Sequence, residues 1–252
     1  MVHLPLTEFD SSATALISPK PPVLSEPLPQ RAVMCFFPEA IAALEVSHQA
    51  RRIGRFPAEL GGADIFILTH EGLPVAVFHP GVGAPLAALH LEKAIAAGAH
   101  AFVACGGAGT LQPGMALGHL VIPTAAVRDE GTSFHYAAPS RQIHTDPATV
   151  AIAIQVLQKR AVPFTLGTTW TTDAPYRETT ARIHRRQDEG CLTVEMETAA
   201  FLAVAAFRNV RFIQYLYAGD DLSGTAWDHR EWTTADARTE LLQLAIETVL
   251  RL

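Results

Sequence analysis

Apolar residues fall along this chain in two alternating rhythms. Short runs rich in aliphatic and aromatic residues, AVMCFF, ADIFILT, PVAVFHP and AFVACG, predict strands, and the alanine-rich stretch APLAALHLEKAIAAGA just before the last of them predicts a helix. The second half repeats the scheme. HLVIPTAAV, FTLGTTW and RFIQYLY read as strands, whereas PATVAIAIQVLQKR, VEMETAAFLAVAAF and ADARTELLQLAIETVLRL read as helices. Such alternation predicts an α/β fold, a sheet with helices on both faces. Several strand runs carry no polar residue, as central strands covered on both sides should.

Residues 1–30 break the rhythm. Five prolines stand between Pro19 and Pro29, so this arm is expected to be extended, without a regular hydrogen-bond ladder, and to lie across the body or a neighbouring subunit. The remainder, 31–252, reads as one domain. At 252 residues, 49% hydrophobic and 17% charged, the chain can bury a sizeable core and is not disordered.

Charge narrows the partners. A formal net charge of −6 leaves no basic surface for a nucleic acid, and the densest cationic cluster, Arg51, Arg52 and Arg55 in RRIGR, reads as a solvated helix end. Cys35, Cys105 and Cys191 are too few and too scattered for a disulfide framework or a CxxC metal site, which favours a reducing compartment. The first residues lack the basic and apolar regions of a signal peptide, and no stretch approaches the roughly 20 apolar residues of a membrane span. A soluble, cytoplasmic protein is expected. No histidines and acids have metal-ligand spacing, so no metal is expected.

In open α/β sheets, ligands bind beyond the carboxyl ends of strands, and four polar or glycine-rich segments follow predicted strands. GVGAP, Gly81–Pro85, either makes a tight turn or brings backbone amides close to an anion. Gly106, Gly107 and Gly109 in ACGGAGTLQPG match neither a phosphate P-loop nor the dinucleotide fingerprint, yet require close backbone approach. Glu195 and Glu197 in VEME either complement a helix dipole or, if the chain is still extended there, reach one pocket together. Asp220 and Asp221, opening the polar stretch Tyr217–Trp232, form either a solvated loop or a source of a general acid.

Taken together, GVGAP, AGTLQPG, TAAVRDEGTSFHY, VEME and the following Asp occur in the order found in the nucleoside phosphorylase family, which includes uridine phosphorylase, bacterial purine nucleoside phosphorylase and the methylthioadenosine/adenosylhomocysteine nucleosidases. The resemblance covers about residues 31–250. It implies a single domain with a mixed, partly barrel-like central sheet flanked by helices on both sides. It also implies cleavage of the N-glycosidic bond of a small-molecule nucleoside in a homodimer or hexamer. Glu195, Met196 and Glu197 match the family's Glu-Met-Glu, whose second acid accepts hydrogen bonds from ribose hydroxyls; an acceptor-only carboxylate suits two adjacent donors. Asp220, 23 residues after Glu197, matches the acid that protonates the leaving base in purine-cleaving relatives. The resemblance further implies base contacts from Phe134, Tyr136, Arg177, Gly107 and Ala108, and a phosphate or nucleophile pocket at Gly83, Gly106 and Gly107. Trp170 or Trp227 could close the pocket, and His135 and His229 read as hydrogen-bonded fillers.

Two departures keep alternatives open. Asp220 leans towards purines, whereas VRDEGTSFHY is closer to the uridine phosphorylase pattern. The family's Gly-Asp-Pro-x-Arg loop is replaced by CFFPEAIAAL, and its remaining phosphate positions are Ala104 and Gly107. A phosphate dianion without guanidinium partners is poorly compensated. Phosphorolysis, with inorganic phosphate as co-substrate and no cofactor, therefore stands beside hydrolysis by water and beside a non-catalytic nucleoside binder. Arg51, Arg52, Arg55 or Arg128 are the candidates for a replacement cation.

Overall fold

A computed structural model of the chain describes residues 4–59, 61–231 and 235–252. Trp232, the last residue of the polar stretch after the final strand, lies outside the described residues, as do residues 1–3 of the arm.

Ten strands and six α-helices follow one another among the described residues: β1 (Arg31–Cys35), α1 (Pro38–Val46), β2 (Ala50–Phe56), β3 (Ala63–His70), β4 (Leu73–Phe78), α2 (Ala84–Ala96), β5 (Ala101–Thr110), β6 (Leu120–Asp129), β7 (Gln142–His144), α3 (Pro147–Lys159), β8 (Phe164–Thr172), α4 (Thr180–Asp188), β9 (Cys191–Glu195), α5 (Thr198–Arg208), β10 (Arg211–Asp221) and α6 (Ala235–Val249). The sheet is mixed. β2, β3 and β4 form an antiparallel meander, β4 pairs in parallel with β1, and β1 pairs in parallel with β5. Beyond β5 the sheet closes on itself. β5 pairs with both β9 and β10, and β10, β6, β8 and β9 complete a ring of five strands. The molecule is thus a single α/β domain whose sheet is open at one end and a small barrel at the other.

The strand period of two sorts side chains between two cores. In β1, Val33 and Cys35 face a cluster completed by Ile41 and Leu44 of α1, Val150 and Leu157 of α3 and Leu242, Ala245 and Val249 of α6. Ala32 and Met34 face the other way, onto Ala87 and Leu91 of α2 and Phe201 and Val204 of α5. Helices therefore cover both faces. In α5 every residue from Thr198 to Ala205 is buried, which explains why its sequence lacks a polar face. Full burial of a side chain such as Phe201 contributes about 1.5–3 kcal/mol.

Three segments differ from the sequence expectation, and in one of them Val194 and Glu195, at the head of the stretch read as a helix, end strand β9 instead. Arg51, Arg52 and Arg55 lie in strand β2, not at a helix end, because Ala50, Ile53 and Phe56 turn inward while the arginines turn out. Arg51 pairs with Glu26, and Arg52 and Arg55 pair with Asp64. The glycine-rich stretch after Cys105 is a continuation of β5 to Thr110, held by pairing with β10 on one side and β9 on the other.

The arm touches the free edge of β2 at a single rung. Leu24 bridges Gly54, and Ser25 N donates to Ile53 O at 2.9 Å. A Cβ on Gly54 would lie 2.6 Å from Leu24 Cδ2 and 2.8 Å from Val23 O, so only glycine admits the crossing. No helix among the described residues is long and apolar enough to cross a membrane.

Candidate active site

Strand β9 ends at Glu195 and helix α5 begins at Thr198, with Glu197 between them at φ −138°. The two acids of VEME divide their work. Glu195 Oε2 accepts from the backbone amides of Glu197 and Thr198, both at 2.7 Å, and Oε1 accepts from Thr171 Oγ1 at 2.6 Å. Thr171 Oγ1 in turn accepts from Ala199 N at 3.0 Å. The opening amides of α5, which have no partner within the helix, are satisfied this way. Glu195 is therefore a buried cap.

Glu197 reaches across the molecule instead. Its Oε1 accepts from the amide of Gly83 at 2.5 Å, the residue just before α2. Gly83 has φ 92°, a conformation that side chains with a Cβ rarely adopt, and this turn aims its N–H at the carboxylate. GVGAP and VEME, 114 residues apart at this contact, thus form one structure.

Both acids border a cavity of about 260 Å³. Its remaining wall consists of Phe36 and Phe37 after β1, Val82 before α2, Gly106 and Gly107 in β5, Met196, Gln214 in β10 and Arg238 in α6. Burial pushes the carboxyls of Glu195 and Glu197 upward, and for Glu197 the charge of Glu195 adds to it. His79, at the end of β4, is held below its ordinary range by burial and by the neighbouring His90. Its Nδ1 accepts from Gly81 N at 2.9 Å, which places the proton of the neutral ring on Nε2.

The other residues singled out in the sequence are not among those that line this cavity. Asp220 Oδ2 accepts from Trp227 Nε1 at 2.6 Å, and Asp220 Oδ1 would be 3.5 Å from a Cβ on Gly109. Nearby, a smaller cavity of about 130 Å³ is bounded by Glu178, Ile183, Leu222 and Trp227. Arg177 is exposed beside Glu178. Phe134 lies under the guanidinium of Arg128, 4.1 Å from the ring centroid, and Tyr136 packs edge-on against Phe207 at 5.6 Å. Ala108 is buried against Val121 and Leu216. Trp170 is fully buried and donates to Asp129 at 2.9 Å, whereas Trp227 is 65% exposed. His135 is exposed, and His229 meets the edge of Trp227.

Arg128 is not a spare cation. It donates to Ser133 Oγ, Ser140 Oγ and the carbonyls of Ala137 and Ala138, which commits the whole fork to one loop. Among the described residues no group of three or more His, Cys, Asp or Glu could hold a metal ion.

Two residues escaped the sequence reading. Arg238 sits in the wall of the larger cavity. Glu178, one position beyond Arg177 in TTDAPYRET, is pushed up to about 7 by burial and by the charge of Asp220, against the opposing pull of Arg182. A carboxyl raised on folding stabilises fully below its unfolded value near 4.5 and loses that contribution as pH rises through about 7. Glu178→Gln should therefore flatten the fall in Tm between pH 5 and pH 7.5, measured by thermal denaturation; an identical slope in both proteins would contradict the assignment.

The cavity lies at the strand ends of the α/β domain, where such sheets bind ligands, and comparison with known proteins supplies the family. The family model described as "Phosphorylase superfamily" matches residues 30–251, and the chain belongs to that superfamily. It is 35% identical over 107 residues to a uridine phosphorylase of Thermococcus kodakarensis, covering 42% of this chain and 39% of that protein. It is 27% identical over 143 residues to a guanosine phosphorylase of Halorubrum lacusprofundi, covering 57% and 59%. The matches thus span about two-fifths to three-fifths of these curated relatives. The crystal structure of a uridine phosphorylase from Vibrio fischeri ES114 superposes with a TM-score of 0.79 at 19% identity, covering 95% of this chain and all of that one, which shows the shared fold.

Proposed function

We propose that this protein cleaves the N-glycosidic bond of a nucleoside, with inorganic phosphate as the acceptor. The observation that carries the reading is Glu197, a buried carboxylate held by Gly83 N at the wall of a cavity also bounded by Met196, Gly106 and Gly107. Uridine, guanosine and purine nucleoside phosphorylases among its relatives support the phosphorolytic form.

In this mechanism Glu197 accepts hydrogen bonds from the ribose hydroxyls and favours the positive charge that grows on the sugar as its bond to the base lengthens. The electron pair of that bond leaves with the base. Asp220, oriented by Trp227, and Glu178, whose carboxyl burial and the charge of Asp220 push up to about 7, form the acid pair that supplies the proton that neutralises it. A phosphate oxygen bonds to C1′, giving ribose 1-phosphate and free base. The chain works as a homodimer or hexamer in this reading.

Hydrolysis by water is the second reading, favoured by the absence of arginine from residues 35–44 and from positions 104 and 107. Purine and pyrimidine nucleosides incubated with and without phosphate, with free base quantified, decide between the two. Release that requires phosphate is expected. Equal release without it would establish a nucleosidase, and a ligand-induced thermal shift with no release would establish a binder.

A further inference from the structure

We propose that Arg238 is the cation that binds the phosphate co-substrate, and that Glu39 occupies the anion's place until phosphate arrives. The assignment rests on the phosphorolytic reading above and supplies what the sequence lacks.

Arg238 is the one cationic side chain among the described residues that line the cavity holding Glu197. It stands in the wall together with Gly106 and Gly107, which supply no side-chain charge. The residue comes from α6, far in sequence from every glycine or acid motif. Only 9% of it is exposed, so a charge there needs compensation.

Tyr217, Glu39 and Phe37 are among the groups that hold its guanidinium. Nε donates to the phenol oxygen of Tyr217 in β10 at 3.2 Å, Nη1 donates to Glu39 Oε1 in α1 at 2.5 Å, and the group lies 5.1 Å from the centre of the Phe37 ring. The partners are unequal. Tyr217 and Phe37 are buried, whereas the side chain of Glu39 is 45% exposed and can turn into solvent once another anion compensates Arg238. A planar guanidinium fixed at its Nε side and paired at its tip with a displaceable carboxylate can exchange that carboxylate for phosphate oxygens of similar geometry.

Two variants test this, Arg238→Met and Glu39→Gln, with inorganic phosphate as the probe. Phosphate affinity is read by calorimetric titration of the whole protein without nucleoside, and the KM for phosphate by base release. Loss of one or two charge-assisted hydrogen bonds should weaken phosphate by about 10- to 100-fold or more in R238M. E39Q removes the competing anion and should tighten phosphate several-fold. An R238M protein with the phosphate affinity of wild type overturns the proposal. Should R238M fail to fold, an E39Q protein that binds phosphate no more tightly than wild type overturns it equally. If the wild-type protein releases base at the same rate with and without phosphate and takes up none, the phosphorolytic reading itself fails. Phosphate-dependent wild type with unaltered variants defeats only the role of Arg238.

Discussion

Glu197→Ala is expected to lower kcat/KM for a ribonucleoside by about 10²- to 10⁴-fold, because hydrogen bonds from two ribose hydroxyls to a carboxylate that the positive charge growing on the sugar holds ionised contribute about 1.5–3 kcal/mol each and each 1.4 kcal/mol is tenfold. The fold should survive. The side chain's hydrogen bond to Gly83 N is lost, but so is the cost of burying a carboxyl whose ionisation is disfavoured by burial and by Glu195. Steady-state kinetics on a ribonucleoside and its 2′-deoxy analogue provide the check. The penalty should shrink for the deoxy substrate, which offers one hydroxyl fewer. Near-normal cleavage of the ribonucleoside by E197A would refute the role.

The neighbouring acid should behave in the opposite way. Glu195→Ala strands the amides of Glu197 and Thr198 and the hydroxyl of Thr171, all buried. Each unsatisfied buried donor costs about 1–3 kcal/mol, and relief from burying the carboxyl offsets part of the sum, so a loss of about 3 kcal/mol is expected. Urea unfolding reads it as a lower midpoint with an unchanged slope. A midpoint equal to that of wild type would show that the three hydrogen bonds contribute nothing net. Two glutamates separated by one methionine would then differ in kind, one affecting turnover and the other stability.

Why the pair could be located in the sequence but not divided is a matter of range. That both sit at the head of a buried helix follows from the apolar residues after them, whereas the strand end before them was only one of two readings. Which one caps the helix depends on Thr171 in β8 and Gly83 before α2, contacts no local pattern encodes. The same limit hid other features. The apolar runs of β1, β4, β5 and β10 and the helices α2, α3 and α6 were legible because each is long, periodic and buried. β2 was not, because three arginines mask the inward Ala50, Ile53 and Phe56. The glycines of β5 resembled a loop, since nothing local announces that β9 and β10 will pair with them from both sides. Glu178 and Arg238 look like ordinary surface charges in sequence. Their charged and polar neighbours come from elements that meet only in the closed fold, Asp220 and Arg182 for the first, Glu39 and Tyr217 for the second.

The rung between Leu24 and Gly54 reaches beyond anchoring the arm. β2 ends the sheet, and an outermost strand presents backbone donors and acceptors on which another chain can polymerise. The arm fills one such position and then refuses to pass the pattern on, because Pro21, Pro22, Pro27 and Pro29 on either side of the rung have no amide hydrogen to offer an incoming strand. Together with the outward arginines of β2, it works as a terminator of sheet growth at one end of a sheet whose other end closes into a ring, with only the short β7 on its rim.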